Sequence, residues 1–192
     1  MERALPPTAA ILPLPPGLVA GCLNLDDPTD RLFARACRHT LAALTASERR
    51  GALAGVTGHV AESVVELLLD ELGYAPLWHF TGPGQHGIDL LVLSPSQTQV
   101  VAVEVKGTLR PGYWPRLSRR EQMQMSGAWV DKADNPGMAN WELHSADVYG
   151  AVVLVNFAAM AYRAAFTSDF QHLQPVQDIA QLADLAWLAQ RP

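Results

Sequence analysis

The sequence predicts an α/β fold, a central sheet flanked by helices, on three observations. Residues 87–106 form a valine-rich hairpin pattern, residues 57–72 carry a helical apolar stripe, and Tyr149 to Phe157 is an apolar run suited to a strand buried on both faces. The chain has 192 residues, 49% of them hydrophobic and 17% charged, with no internal repeat, so it can build one sizeable core.

The first 27 residues form a proline-rich segment. Residues 4–25 are uncharged, a length that raises a membrane span, but prolines at 6, 7, 13, 15 and 16 each cost about 3 kcal/mol inside a helix and argue against one. Extended or polyproline-like packing is expected instead. Asp27-Pro28-Thr29-Asp30 then opens a helix with a cap, a first-turn proline and an early acid, running to Leu44. Thr45-Ala46-Ser47-Glu48 starts another. These N-terminal helices, within residues 28–56, have three uses open to them: covering the core, forming a homodimer surface, or clasping substrate.

Residues 57–192 read as the main domain. Thr57 is the expected N-cap of its first helix and Gly73 the residue past its end, with apolar positions 60, 64, 67, 68 and 72 on one stripe. A first strand is expected over Ala75 to Thr81. The hairpin follows, turning at Ser94-Pro95-Ser96-Gln97-Thr98. A symmetric turn sets Asp89 opposite Glu104 and pairs Ile88 with Val105, Leu90 with Val103 and Val92 with Val101, so the acids share one face and the aliphatic residues the other. Lys106, two residues beyond Glu104, lies on the acidic face about 7 Å away. Ser118-Arg119-Arg120-Glu121 has the form of a capping box for a helix to about Ala133, where breaker chemistry ends it. Strands over 149–157 and Tyr162 to Phe166 follow, and Asp178 opens a last amphipathic helix through Leu188.

Asp89, Glu104 and Lys106 together point to chemistry at phosphorus. Two carboxylates are hard ligands of the kind Mg²⁺ or Mn²⁺ takes, and the Val105 carbonyl could add a third. A cation there polarises a phosphoryl group and lowers the pKa of a coordinated water, while Lys106 orients that water or offsets developing charge. Acids inside a strand reading Val100-Val101-Ala102-Val103-Glu104-Val105 are costly without such a purpose.

An aspartate opening one strand and Glu-x-Lys closing the next resembles the PD-(D/E)xK, or restriction-endonuclease-like, nuclease superfamily, over about residues 57–157. The resemblance implies an αβββαβ core with a central mixed sheet, here with extra N-terminal helices. It also implies a helix acid that helps bind the metal, for which Glu62 is the match and Glu66, one turn later, the rival. Leu117 to Val130, with Gln124-Met125-Ser126 before Trp129, further resembles nuclease toxin domains of bacterial competition systems, which implies that Gln124 borders the active site.

Charge distribution adds a separate indication. The chain carries a formal charge of −5, yet Lys106 to Arg120 contains no acid and holds five of the 14 Lys and Arg: Lys106, Arg110, Arg116, Arg119 and Arg120. A polyanion would be drawn to that strip. Arg119 and Arg120 make sense at a helix start if phosphate docks there. Tyr113 and Trp114 among them either stack on bases or anchor a long loop. Cys22 and Cys37 have no metal-type spacing and fit a reducing compartment. Six scattered histidines form no zinc or His-nuclease pattern, with His86, three residues before Asp89, the one placed to touch phosphate. No phosphate-binding glycine loop occurs.

The expectation is a metal-dependent endonuclease using Mg²⁺ or Mn²⁺, with DNA favoured modestly over RNA, acting in the cytoplasm and without a membrane partner. Two alternatives share the fold: an RNA-cleaving toxin of the transfer-RNase type, which would be delivered into a cell and have an immunity protein as partner, and a catalytically inert nucleic-acid-binding module.

Overall fold

The computed structural model of the chain describes residues 4–6, 8–38, 52–79, 87–117, 123–132 and 135–190. They form an open, mixed, seven-stranded sheet flanked by helices. In chain order the elements are β1 (Leu12–Pro13), α1 (Pro16–Gly21), α2 (Pro28–Arg38), α3 (Ala52–Glu71), β2 (Ala75–His79), β3 (Leu90–Leu93), β4 (Val100–Thr108), α4 (Gly127–Val130), α5 (Pro136–Asn140), β5 (Val148–Asn156), β6 (Ala161–Thr167), β7 (Gln174–Pro175) and α6 (Ile179–Ala183). A 3₁₀ turn over Leu185–Gln190 ends the described chain. The sheet order is β1-β6-β5-β4-β3-β2, with β7 also on β6. Among the described strands only β4 and β5 pair in parallel, a pairing that requires the long excursion over residues 109–147.

The hairpin has the expected register: Leu90 pairs with Val103, Leu91 with Ala102 and Val92 with Val101. Side-chain alternation sends Val101, Val103 and Val105 of β4, and Ala151, Val153 and Val155 of β5, to one face, where they pack on Val60, Val64 and Leu68 of α3. The other face is covered as well. Leu91, Ala102, Val152 and Leu154 meet Leu117, Met125, Trp129, Val130 and Met138 from the excursion. Ile88 corrects one expectation: it lies in this second core and not beside Leu90 and Val105. The strand starts only at Leu90, because the Ile88 N–H is taken by Asn135 Oδ1 at 3.3 Å and the chain turns away there.

Several element boundaries also differ from expectation. α3 begins at Ala52 and runs through the position expected for its start, so Thr57 is not a cap. Its hydroxyl instead donates to the Leu53 carbonyl inside the helix. The far end is as expected: Gly73 sits at φ +87°, and Tyr74 N–H closes on the Leu69 carbonyl at 2.9 Å. Among the described residues, the helix expected from Ser118 to Ala133 has only the single turn of α4. Residues 118–122 lie outside the described residues, Met125 has φ +57°, and extended Ser126 caps Gly127 by accepting from Trp129 N–H. No α-helix continues through a left-handed residue of this kind.

Asp178 does cap a helix, by accepting from Gln181 N–H at 3.1 Å, but that helix stops at Ala183 and passes into the 3₁₀ turn. Asp27 caps α2 as expected, taking the N–H groups of Thr29 and Asp30. The helix end near Leu44 and the second start at Thr45 lie outside the described residues.

The proline-rich segment is extended at Leu12–Pro13, as one of the two expectations had it, and it packs into the core layer. Leu12 and Pro13 add an edge strand to β6, Leu14, Leu18 and Val19 are buried, and Arg163 donates to the carbonyl of Ala9 at 2.8 Å. Prolines at 15 and 16 start α1 instead of forbidding a helix, since a first-turn proline loses no hydrogen bond. Among the described residues no helix is long and apolar enough to cross a membrane.

Candidate functional site

β3 begins only at Leu90, opposite Val103, while β4 runs on to Thr108, and that shortfall makes the site. Val103 O accepts from the Asp89 N–H at 3.2 Å, so Val103 and, two residues on, Val105 face the β3 side of β4. The Val105 N–H has no backbone partner from β3, and Asp89 Oδ2 accepts from it at 2.6 Å. In an extended strand the N–H and C=O of a residue point the same way, so the Val105 carbonyl opens onto the same notch. Asn135, 1% exposed, holds the approach to Asp89 by accepting from Ile88 N–H and donating to Val130 O at 3.2 Å.

Glu104 lies at the bottom of the notch. Its side chain is 1% exposed, and Oε1 accepts from Lys106 Nζ and from Gln124 Nε2 at 2.8 Å. Oε2 is buried and has no hydrogen-bond partner. Lys106, 29% exposed, and Glu62, 20% exposed, form the way in from solvent. Glu62 comes from α3, which lies very close to β4 at this point: a Cβ on Gly107 would stand 2.8 Å from both the Thr57 carbonyl and the Ala61 methyl. Glycine next to Lys106 is what lets the helix approach.

The electrostatics of the four groups are mutually dependent. Burial pushes the Glu62 carboxyl up to about 7, with the Asp89 charge adding to the rise and Lys106 opposing it. Glu104 is likewise raised, first by burial and then by Asp89, against the pull of Lys106. Asp89 is raised by burial, although Lys106, the Val105 N–H and His79 all favour its charged form. For Lys106, burial favours the neutral amine, but the charges of Glu104, Asp89 and Glu62 outweigh it and hold the ammonium above its ordinary range. Three ionised carboxylates against one ammonium would leave two negative charges in a poorly hydrated pocket, and the raised carboxyls express that imbalance.

The sequence-predicted residues fall into three groups. Asp89, Glu104, Lys106, Glu62 and Gln124 converge, Gln124 from a turn rather than a helix. Glu66 instead pairs with His79, its Oε2 lying 2.7 Å from Nδ1. Arg110 and Arg116 are exposed on the loop leaving β4, with Arg110 5.3 Å over the Tyr113 ring. Trp114 packs on the second core, the anchoring reading of that residue, and Asn156 Nδ2 ties the loop down through the carbonyls of Arg110 and Tyr113. Arg119, Arg120 and His86 lie outside the described residues.

Sequence reasoning missed His79 and Asn135. His79 stood among scattered histidines, and its one signal was that it closes the strand preceding the acid-bearing hairpin. Asn135 was hidden in a run that signals only a helix stop.

Among the described residues no group of three or more His, Cys, Asp or Glu is arranged to hold a metal ion as the side chains stand. The chemistry of the pocket still fits one: an unpartnered, buried carboxylate oxygen on Glu104, raised carboxyls around it and a surplus of two negative charges are the deficits a divalent ion removes. Fold and site thus define an α/β protein with a buried carboxylate and lysine cluster at the free edge of β4. A scan against family models matches none, and searches of curated proteins and of solved structures return no match.

Proposed function

We propose that the chain is a metal-dependent endonuclease that hydrolyses phosphodiester bonds of nucleic acid, DNA modestly ahead of RNA. The observation that carries the reading is Glu104 Oε2, a buried carboxylate oxygen without a partner, set among Asp89, Glu62 and Lys106. Asp89, Glu104 and Glu62 would hold Mg²⁺ or Mn²⁺, which when bound supplies Lewis-acid polarisation of the phosphoryl group. Lys106 donates to Glu104, pulling its carboxyl toward the charged form against the effect of burial, and places a positive charge at the mouth of the pocket, where charge develops on the phosphate oxygens. Gln124 holds the same Glu104 oxygen in place. Arg110 and Arg116, on the loop leaving β4, would provide exposed cations for the backbone of a polyanion.

The test is incubation of the purified chain with plasmid, single-stranded DNA and transfer RNA, with and without Mg²⁺ or Mn²⁺. Metal-dependent cutting of DNA is expected. Cutting of transfer RNA alone would assign the chain to RNA cleavage, and binding without cutting under all conditions would make it an inert module.

A further inference from the structure

His79 closes β2 and turns its ring toward α3, where Glu62 and Glu66 stand one helical turn apart. Nδ1 lies 2.7 Å from Glu66 Oε2, a distance at which the Nδ1 proton is donated to the carboxylate. That bond fixes the ring plane, and in the neutral ring it fixes the tautomer that carries its lone pair on Nε2. Nε2 is itself buried, has no hydrogen-bond partner, and is 4.0 Å from Glu62 Oε2, too far for a hydrogen bond between them. A buried ring nitrogen without a partner is costly, and here it stands beside the mouth of the carboxylate cluster, next to Glu62.

We propose that Nε2 of His79 is a nitrogen ligand of the cation site, oriented by Glu66, and that the site therefore takes Mn²⁺ in preference to Mg²⁺. The proposal rests on the reading of Asp89, Glu104 and Glu62 as that site. A carboxylate that fixes one imidazole nitrogen while the other meets a metal is the usual outer-sphere support for a histidine ligand. Imidazole suits first-row transition ions, whereas Mg²⁺ prefers an all-oxygen set and gives up its waters reluctantly. Glu66 thereby gains a role distinct from that of Glu62: it positions the ring and does not meet the ion. The competing account makes His79 a doubly paired imidazolium that only ties β2 to α3. In that case its removal would change the two ions alike.

The test uses the full chain and free metal ions. Pulsed electron paramagnetic resonance of the Mn²⁺ complex should show coupling to ¹⁴N, and His79→Ala should abolish it. Calorimetric titration should show that His79→Ala weakens Mn²⁺ at least about tenfold with little change for Mg²⁺, and that Glu66→Gln weakens Mn²⁺ by about tenfold. Mn²⁺ binding without ¹⁴N coupling would overturn the histidine ligand and leave the carboxylate site standing. Equal loss of both ions in a folded His79→Ala chain would also overturn it. Failure of the folded wild-type chain to bind either ion would overturn the site and the histidine ligand together. Should His79→Ala fail to fold, the wild-type resonance signal decides alone.

Discussion

Asp89 Oδ2 occupies the place of a backbone carbonyl: it accepts the Val105 N–H at 2.6 Å, the rung that β3 would have supplied had it run further. One carboxylate therefore both finishes the sheet edge and supplies charge to the pocket. The two jobs separate under mutation. Asp89→Asn keeps an oxygen for Val105 and should hold or raise stability in the absence of metal, because a buried charge is removed. Asp89→Ala leaves the N–H without that partner and should cost roughly 1–3 kcal/mol. Urea denaturation of both variants checks the difference, and equal stability of the two would show that the hydrogen bond contributes nothing.

The close packing of α3 on β4 makes a sharper prediction. Gly107→Ala puts a methyl 2.8 Å from a backbone oxygen, Thr57 O, which cannot rotate away. Separation of helix and strand should cost roughly 1–3 kcal/mol and move Glu62 out of reach of Lys106, so divalent-ion binding should weaken as well. Thermal melting and calorimetric titration of the variant check both effects.

Asn135 should behave as a positioning residue. Asn135→Ala removes a 1% exposed amide that serves Ile88 N–H and Val130 O, leaving both to find new partners, at a cost of roughly 1–3 kcal/mol. Because Ile88 precedes Asp89, the loss should appear in amide exchange first at Ile88 and Asp89, while β5 and β6 remain protected.

The raised Glu62 carboxyl sets a direction for pH dependence. In the unfolded chain it titrates near the ordinary glutamate value of 4.5, and in the fold at about 7. Between those values the folded state binds the extra proton, so stability is fully present below the unfolded value and is lost as pH rises through the folded one. In the absence of divalent ions the melting temperature should therefore fall from pH 5 to pH 8 relative to Glu62→Gln, by on the order of 1–3 kcal/mol in stability. Mn²⁺ should restore it at the upper end and bind more weakly at the lower, because protons compete for its ligands. Parallel melts of wild type and Glu62→Gln across that range, with and without Mn²⁺, test the sign.

What the sequence disclosed follows from how local each signal is. The register of Leu90 against Val103 and of Val92 against Val101 was legible because a short turn between two apolar runs leaves a hairpin few ways to pair. Gly73 was legible because a left-handed helix end favours glycine. The start of α3 was misread at Thr57, a residue equally able to cap a helix or to bond back within one. The helix expected from Ser118 failed at Met125, whose positive φ no propensity announces and which is held by tertiary packing, fully buried in the second core. β1 has two residues and exists only through its pairing with β6, so no pattern within the segment could show it. His79 was missed for the same reason: its meaning comes from α3, across the sheet, and not from its neighbours in the chain.

The most direct measurement compares wild type with Glu104→Gln on plasmid DNA in the presence of Mn²⁺. The substitution keeps the shape of a buried side chain but removes the charge to which Lys106 and Gln124 donate. The account predicts a loss of cleavage on the order of a thousandfold in a chain that melts no lower than wild type without metal. Cleavage by folded Glu104→Gln at the wild-type rate would contradict it.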